Sequence, residues 1–260
     1  MKYLAIIPAR YASTRFPGKP LAMLGGKPVI RHVYEKVSSV LEDVYVATDN
    51  EEIYQTVEAF GGRAVMTSDR HKSGTDRCRE AYERINGLCQ KEGREPFDVV
   101  INIQGDEPFI APAQIRSLMD CFSEPETEIA TLIKPFTPTD GIEALRNPNS
   151  PKVVTDARGR AMYFSRSVIP YLRGIEEDEW LEKFVFYKHI GIYAYRAEAL
   201  LKISAMPQSA LEQAESLEQL RWLENGLRIQ TAVTDIETIG IDTPEDLGRA
   251  EEFLNTCICK

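Results

Sequence analysis

Tyr3-Leu4-Ala5-Ile6-Ile7-Pro8-Ala9-Arg10-Tyr11-Ala12-Ser13-Thr14-Arg15-Phe16-Pro17-Gly18-Lys19-Pro20 is the stretch whose reading decides the fold. It opens with an apolar run of strand length, Tyr3 to Ile7. Pro8 has no N–H to give to a ladder, so regular pairing is expected to end there. A polar loop with Arg10, Arg15 and Lys19 follows, and a helical pattern begins near Pro28. Strand, loop and helix in this order is where α/β proteins hold phosphates. The loop fits neither common phosphate fingerprint. Residues 9–20 contain one glycine where a dinucleotide loop needs Gly-x-Gly-x-x-Gly. Gly18-Lys19 suits a P-loop, but Ser13 and Pro20 stand where Gly and Ser/Thr are needed. A phosphate bound here must therefore be held by cationic side chains. On composition alone, a solvated loop with three surface cations fits equally well.

Outward from this stretch, the first third alternates strand and helix. Val29 to Val40 has helical spacing, Val44 to Ala47 is a buried-strand run, and Asp49 and Asn50 offer a cap for a helix through Phe60. Ala64 to Met66 is a short strand, Thr75 to Lys91 a long helix capped by Ser73 or Thr75, and Asp98 to Ile103 an apolar, β-branched strand. Strands spaced by helices of this length imply a mostly parallel sheet wrapped on both faces. Ligands then bind beyond the carboxyl ends of the strands. Three loops share that rim: Ala9–Pro20, Thr48-Asp49 and Gln104-Gly105-Asp106-Glu107-Pro108. In the last, Gly105 allows a turn and leaves Asp106 and Glu107 at the sheet's edge. They read either as turn formers or as hard oxygen ligands for Mg²⁺. Arg77, in the first turn of its helix, lies against the dipole, which points to an anion or base contact.

From residue 128 the pattern changes. Ile129 to Ile133 is a strand, a short helix falls around Gly141–Leu145, and Lys152–Thr155 and Ala161–Ser165 form a hairpin. Residues 150–200 are read as an antiparallel extension that covers a site or builds an oligomer interface. His189 to Tyr195 is a further strand, with His189 fitting either a core position or a ligand contact. Ser216 is expected to cap a helix through Asn225, and Ile229 to Val233 returns as a strand. Thr243 and Pro244 start the last helix; Glu245 and Asp246 then answer its dipole, and Asp242 is left without such an explanation.

A chain of 260 residues with 43% hydrophobic and 27% charged content is that of a globular protein with a sizeable core. Its net charge of −9 argues against nucleic acid or an anionic membrane as partner. No run of apolar residues is long enough for a membrane span, and the amino terminus lacks a signal-peptide layout. Cys78, Cys89, Cys121, Cys257 and Cys259 contain no Cys-x-x-Cys pair, so reduced thiols in the cytoplasm are expected. Three histidines without a His-Glu-x-x-His pattern speak against a zinc hydrolase.

Together these motifs resemble the sugar nucleotidyltransferases and, within them, the 3-deoxy-manno-octulosonate (Kdo) cytidylyltransferase family, over about residues 3 to 250. The resemblance rests on the opening stretch and on Ala47-Thr48-Asp49, Ser73-Gly74-Thr75-Asp76-Arg77 and Asn102-Ile103-Gln104-Gly105-Asp106-Glu107-Pro108. It continues in Tyr163-Phe164-Ser165-Arg166, Lys188-His189-Ile190-Gly191-Ile192-Tyr193, Ser216-Leu217-Glu218-Gln219-Leu220 and Gly240-Ile241-Asp242-Thr243-Pro244-Glu245-Asp246-Leu247. It implies a nucleotide-diphospho-sugar transferase-like, Rossmann-like α/β fold as a single domain over 1–260, with the antiparallel extension forming sugar pocket and dimer interface. It implies the reaction CTP + Kdo → CMP-Kdo + pyrophosphate with Mg²⁺, for lipopolysaccharide biosynthesis, by a cytoplasmic homodimer. Carried over residue by residue, Arg10, Ser13, Arg15 and Lys19 hold the triphosphate, and Arg10 and Lys19, with Asp106, are the catalytic set. Gly74, Arg77 and Gln104 lie along the cytidine. Asp106 and Asp242 anchor Mg²⁺. Arg166, His189, Tyr193 and Glu212 line the sugar pocket, with Arg166 facing the carboxylate. Two other readings stand beside it: a CMP-sialic acid synthetase-type enzyme, and a nucleotide-binding module without turnover.

Overall fold

The structure, a computed structural model, describes residues 1–12, 15–71, 73–237 and 240–258. In chain order the first elements are β1 (Tyr3–Ala9), β2 (Met23–Leu24), β3 (Lys27–Pro28), α1 (Val29–Ser38), β4 (Val44–Thr48), α2 (Glu51–Ala59), β5 (Ala64–Met66), α3 (Gly74–Lys91), β6 (Val99–Asn102) and α4 (Pro112–Asp120). There follow β7 (Ile129–Pro135), α5 (Gly141–Arg146), β8 (Lys152–Thr155), β9 (Ala161–Ser165), α6 (Trp180–Lys183), β10 (Tyr187–Arg196), α7 (Ala197–Ser204), α8 (Ala210–Glu215), α9 (Gln219–Glu224), β11 (Ile229–Val233) and α10 (Pro244–Ile258). The chain forms two compact units, Met1–Ile115 with Thr238–Lys260, and Arg116–Glu237.

In the first unit β6, β1, β4 and β5 lie side by side, all parallel. Leu4, Ala5, Ile6 and Ile7 are all fully buried, as a strand covered on both faces must be. Helix α1 buries Ile30, Val33 and Val37, and α3 buries Cys78, Ala81, Tyr82, Ile85 and Cys89, the one-sided spacing of amphipathic helices. Asn50 caps α2 by accepting the Ile53 N–H at 3.0 Å, and Ser73 caps α3 by accepting the Asp76 N–H at 3.1 Å.

Strand β1 continues through Pro8 to Ala9, two residues beyond the expected stop. The reason is parity. Ala5 bonds toward β4, through its N–H to the Asp43 carbonyl, whereas Ile6 bonds toward β6, accepting the Ile103 N–H at 3.0 Å. Pro8 shares the parity of Ile6, and pairing with β6 has ended at Ile6–Asn102. The missing N–H thus costs no ladder bond, while Pro8 and Ala9 stay in register with Ala47 and Thr48. The strands of this sheet end together at Ala9, Thr48, Met66 and Asn102, so the loops after them share one edge.

The second unit is mixed. β11 runs parallel to β7, and β7 antiparallel to β10; β8 pairs with β10 and β9 in antiparallel fashion. The predicted hairpin is thus present, with its strands where the pattern placed them. The predicted cap at Ser216 is not. Ser216 has φ 51°, the left-handed conformation, and terminates α8; α9 starts at Gln219. A stop between two short helices replaces the start of one long helix.

Candidate active site

At the carboxyl edge of the parallel sheet a cavity of about 310 Å³ is lined by Arg10, Arg15, Lys19, Gly74, Arg77, Gln104, Asp106 and Asp242, among others. Eight of the predicted residues are therefore brought together. Ser13 lies outside the described residues. Three segments deliver the charges that meet at Lys19: the loop after β1, the turn after β6 and the residues before α10. The Lys19 ammonium donates to Asp106 Oδ2 at 2.5 Å and to Asp242 Oδ1 at 3.1 Å. Arg15 Nη2 is 3.0 Å from Asp242 Oδ2. Two carboxylates distant in sequence thus converge on one cation, and a second cation closes the chain.

Backbone bonds fix this arrangement. Ile241 N–H donates to the Asp106 carbonyl at 2.9 Å, tying the two carboxylate-bearing segments together. Asp246 accepts the N–H groups of Asp242 and Thr243, each at 2.9 Å, while Thr243 Oγ1 accepts the Asp246 N–H at 3.2 Å. This is a reciprocal cap. Burial works against the Asp246 charge, but the Arg249 bond and these donors win and bring its carboxyl to about 2. Asp246 therefore does more than answer the helix dipole. Gly105 is needed for close approach: a Cβ there would be 2.8 Å from the Pro8 carbonyl oxygen.

Asp106 and Glu107 do not share the sheet's edge. Glu107 turns inward; burial first, and the Asp106 charge second, push its carboxyl up to about 8, and Oε2 has no hydrogen-bond partner among the described residues. Only Asp106 of the pair faces the cavity.

Arg77 is 4% exposed and donates from Nη1 to Thr67 Oγ1 at 2.6 Å and from Nη2 to Asp49 Oδ2 at 2.8 Å. Its position against the dipole is compensated from within the protein. Asp49, read as part of a helix cap, leaves capping to Asn50 and holds Arg77 in the cavity wall.

The second unit places the remaining predicted residues. Strand β10 is irregular between Ile190 and Tyr193, and the slip lets one residue of β7, Thr131, reach several partners. Thr131 Oγ1 donates toward the Ile190 and Ile192 carbonyls, at 3.2 and 2.8 Å, and meets His189 Nε2 at 3.0 Å. With the hydroxyl proton so engaged, Nε2–H is the donor and His189 is neutral; burial lowers its pKa to about 3. Its ring packs on Phe164 and Tyr193, with centroids 5.0 and 5.3 Å away, and Tyr193 packs on Trp222 at 5.0 Å. Tyr193 Oη, Gln219 Nε2 and Trp222 Nε1 are buried without a partner among the described residues. Such unanswered groups are what a polyhydroxylated ligand would satisfy.

Thr131, Gln219 and Trp222 were not singled out from sequence. Gln219 had a signal: a polar residue, 4% exposed, within the Leu217–Leu220–Leu223 stripe. Arg166 is oriented by carbonyls, Nε to Glu215 at 2.6 Å, Nη1 to Pro148 at 2.8 Å and Nη2 to Ser216 at 3.3 Å. Among the described residues no carboxylate pairs with its guanidinium, so its charge is available to an acid ligand. Glu212, read as a sugar contact, is engaged within the fold. It is buried, caps α8 reciprocally with Ser209 and lies 3.1 Å from Arg221 Nε. Its oxygens serve the fold.

Residues 4–229 match the family model described as cytidylyltransferase. The 3-deoxy-manno-octulosonate cytidylyltransferase of Phocaeicola vulgatus is 61% identical, over 98% of this chain and 98% of that protein. That of Bacteroides thetaiotaomicron is also 61% identical, with 98% of each covered. Among solved structures, a CMP:2-keto-3-deoxy-manno-octonic acid synthetase complexed with CTP superposes with TM-score 0.86 at 41% identity, covering 98% of this chain and 99% of that one. The charged edge of the parallel sheet and the buried aromatic cluster are thus features of a chain that belongs to the 3-deoxy-manno-octulosonate cytidylyltransferase family.

Proposed function

We propose that this chain joins CTP and Kdo into CMP-Kdo with release of pyrophosphate. The observation that carries this reading is the convergence of Asp106 and Asp242 on the Lys19 ammonium, inside a cavity rimmed by Arg10, Arg15 and Arg77. The chemical task is to bring two anions together, so charge neutralisation and positioning dominate. Arg10, Arg15 and Lys19 bind the triphosphate; Arg10 and Lys19 stabilise charge on the departing pyrophosphate. Gly74, Arg77 and Gln104 border the cytidine. His189 and Tyr193, with Thr131 and Gln219, orient the sugar hydroxyls, and Arg166 takes the sugar carboxylate.

The donor set suits Mg²⁺. Two hard carboxylates that already share one cation match an ion that takes few protein ligands and completes its shell from phosphate and water. Among the described residues there is no group of three or more His, Cys, Asp or Glu that could hold a metal. Asp106 and Asp242 would hold it, and when bound it would supply charge neutralisation and a lowered pKa for the sugar hydroxyl.

A homodimer in the cytoplasm completes the reading. Exposed Tyr171, Phe184 and Val185 in the predicted extension support an interface, and the free thiols of Cys78, Cys89 and Cys121 support a reducing compartment. No helix is long and apolar enough to cross a membrane. The test is a pyrophosphate-release panel of CTP, UTP, ATP and GTP against Kdo and sialic acid, with and without Mg²⁺. Release is expected only with CTP, Kdo and Mg²⁺ together. Preference for sialic acid would replace the sugar, and no release in any combination would reject turnover.

A further inference from the structure

His71 lies on the loop between β5 and α3 and lines the same cavity, yet nothing in the reaction described above uses it. Its ring is not left to solvent. Nε2 is hydrogen-bonded to Glu80 Oε2, and Glu80 is itself held by the Ser68 N–H at 2.8 Å and by Arg84 at 2.5 Å. Burial opposes the Glu80 charge, but the bonds from Ser68, His71 and Arg84 outweigh it and keep the carboxyl below its ordinary range. An ionised carboxylate only accepts, so Nε2 carries the proton. Nδ1 is then the nitrogen left to meet a ligand, and in the neutral ring it is an acceptor. A carboxylate that fixes an imidazole's tautomer and orientation is how positioned histidines are built.

We propose that His71 binds the nucleoside half of the nucleotide, Nδ1 accepting a hydrogen bond from a ribose hydroxyl or the cytosine amino group, and that Glu80 is its positioning residue. This rests on the CTP-binding reading above. The nucleoside half is favoured by place. The cations Arg10, Arg15 and Lys19 come from the loop after β1, whereas His71 enters the cavity with Ser73, Gly74 and Arg77 from the α3 side.

Titration calorimetry of the full chain with CTP and CMP tests this in wild type, His71→Asn, His71→Gln and Glu80→Gln. Asn places a polar atom near Nδ1 but cannot reach Glu80; Gln reaches Glu80 but offers nothing at Nδ1. Gln is expected to weaken CTP and CMP alike, by roughly tenfold, and Asn by clearly less. Glu80→Gln is expected to weaken both and to mix the His71 ring tautomers, read by ¹⁵N ring shifts; the chain has only 3 histidines to assign. In wild type against His71→Gln, the loss should vanish with 2′-deoxy-CTP, 3′-deoxy-CTP or UTP, according to whether the donor is a hydroxyl or the amino group. Wild-type-like binding by His71→Gln, a loss confined to CTP and absent with CMP, or a loss that persists with all three analogues would overturn the proposal. Failure of wild type to bind CTP would instead overturn the reading on which it rests, and this one with it.

Discussion

The cavity at the parallel sheet's edge and the aromatic cluster around His189 handle polarity in opposite ways. In the first, charges are dense and mutually answered: Asp106, Lys19, Asp242 and Arg15 form one alternating chain. In the second, charge is excluded. His189 is held neutral, and Tyr193, Gln219 and Trp222 keep buried polar atoms with no partner among the described residues. On the proposed function, the first region meets a polyanion with cations and carboxylates that already satisfy one another. The second meets neutral hydroxyls with unanswered groups, which the surrounding aromatic packing has to stabilise.

Three experiments break or sharpen this contrast. Asp106→Asn removes one end of the alternating chain. Pyrophosphate release should fall about 10²–10³-fold while CTP binding stays measurable by calorimetry. Near-normal turnover would mean that the chain of charges is structural only. Next in size is Glu212→Ala, which strips a reciprocal cap and leaves Arg221 with the Glu218 carboxylate and the Met206 carbonyl. A loss of about 3 kcal/mol is expected in urea unfolding, with the Kdo KM less affected. An unchanged unfolding midpoint together with a raised Kdo KM would return Glu212 to the sugar pocket.

The smallest effect concerns pH. His189 has a folded pKa of about 3, below its ordinary 6.5. As pH falls below about 6.5, the unfolded chain binds a proton that the folded chain refuses, so stability drops by up to about 1.4 kcal/mol per pH unit. Above that range the group contributes no slope. Between pH 7.5 and 5.5 the wild type should therefore lose about 1 kcal/mol more than His189→Gln. Equal losses would place a charged imidazole in the cluster and erase the contrast between the two regions.

Much of this was legible in the sequence, for identifiable reasons. Strands β8, β9 and β11 match their predicted limits, because alternating apolar residues between turn formers report backbone geometry directly. Most members of the charged cavity were legible too, since they follow β1, β5 or β6, whose ends lie on one edge; Asp242, before α10, follows none of these and was reached through the resemblance. What adjacency in sequence does not carry is the direction a side chain takes after a turn. Asp106 and Glu107 are neighbours, yet one faces the cavity and the other turns a carboxylate oxygen into the interior. Asp49 and Asn50 both suit a cap, and only the distant Arg77 decides between them. Ser216 fell to short-range helix chemistry: it belongs to a left-handed stop, not to a cap. The Pro8 stop failed because strand parity depends on which neighbour has already ended.

For anyone who would re-engineer this catalyst, Gly105 marks the boundary of what can be diversified. The missing side chain lets the turn lie against the Pro8 carbonyl, and Asp106 is the next residue of that turn. A library spanning the loop should leave this codon untouched. Replacement even by alanine would shift the neighbouring acid relative to the lysine it meets, and no second-site change of side chain elsewhere would restore the lost clearance.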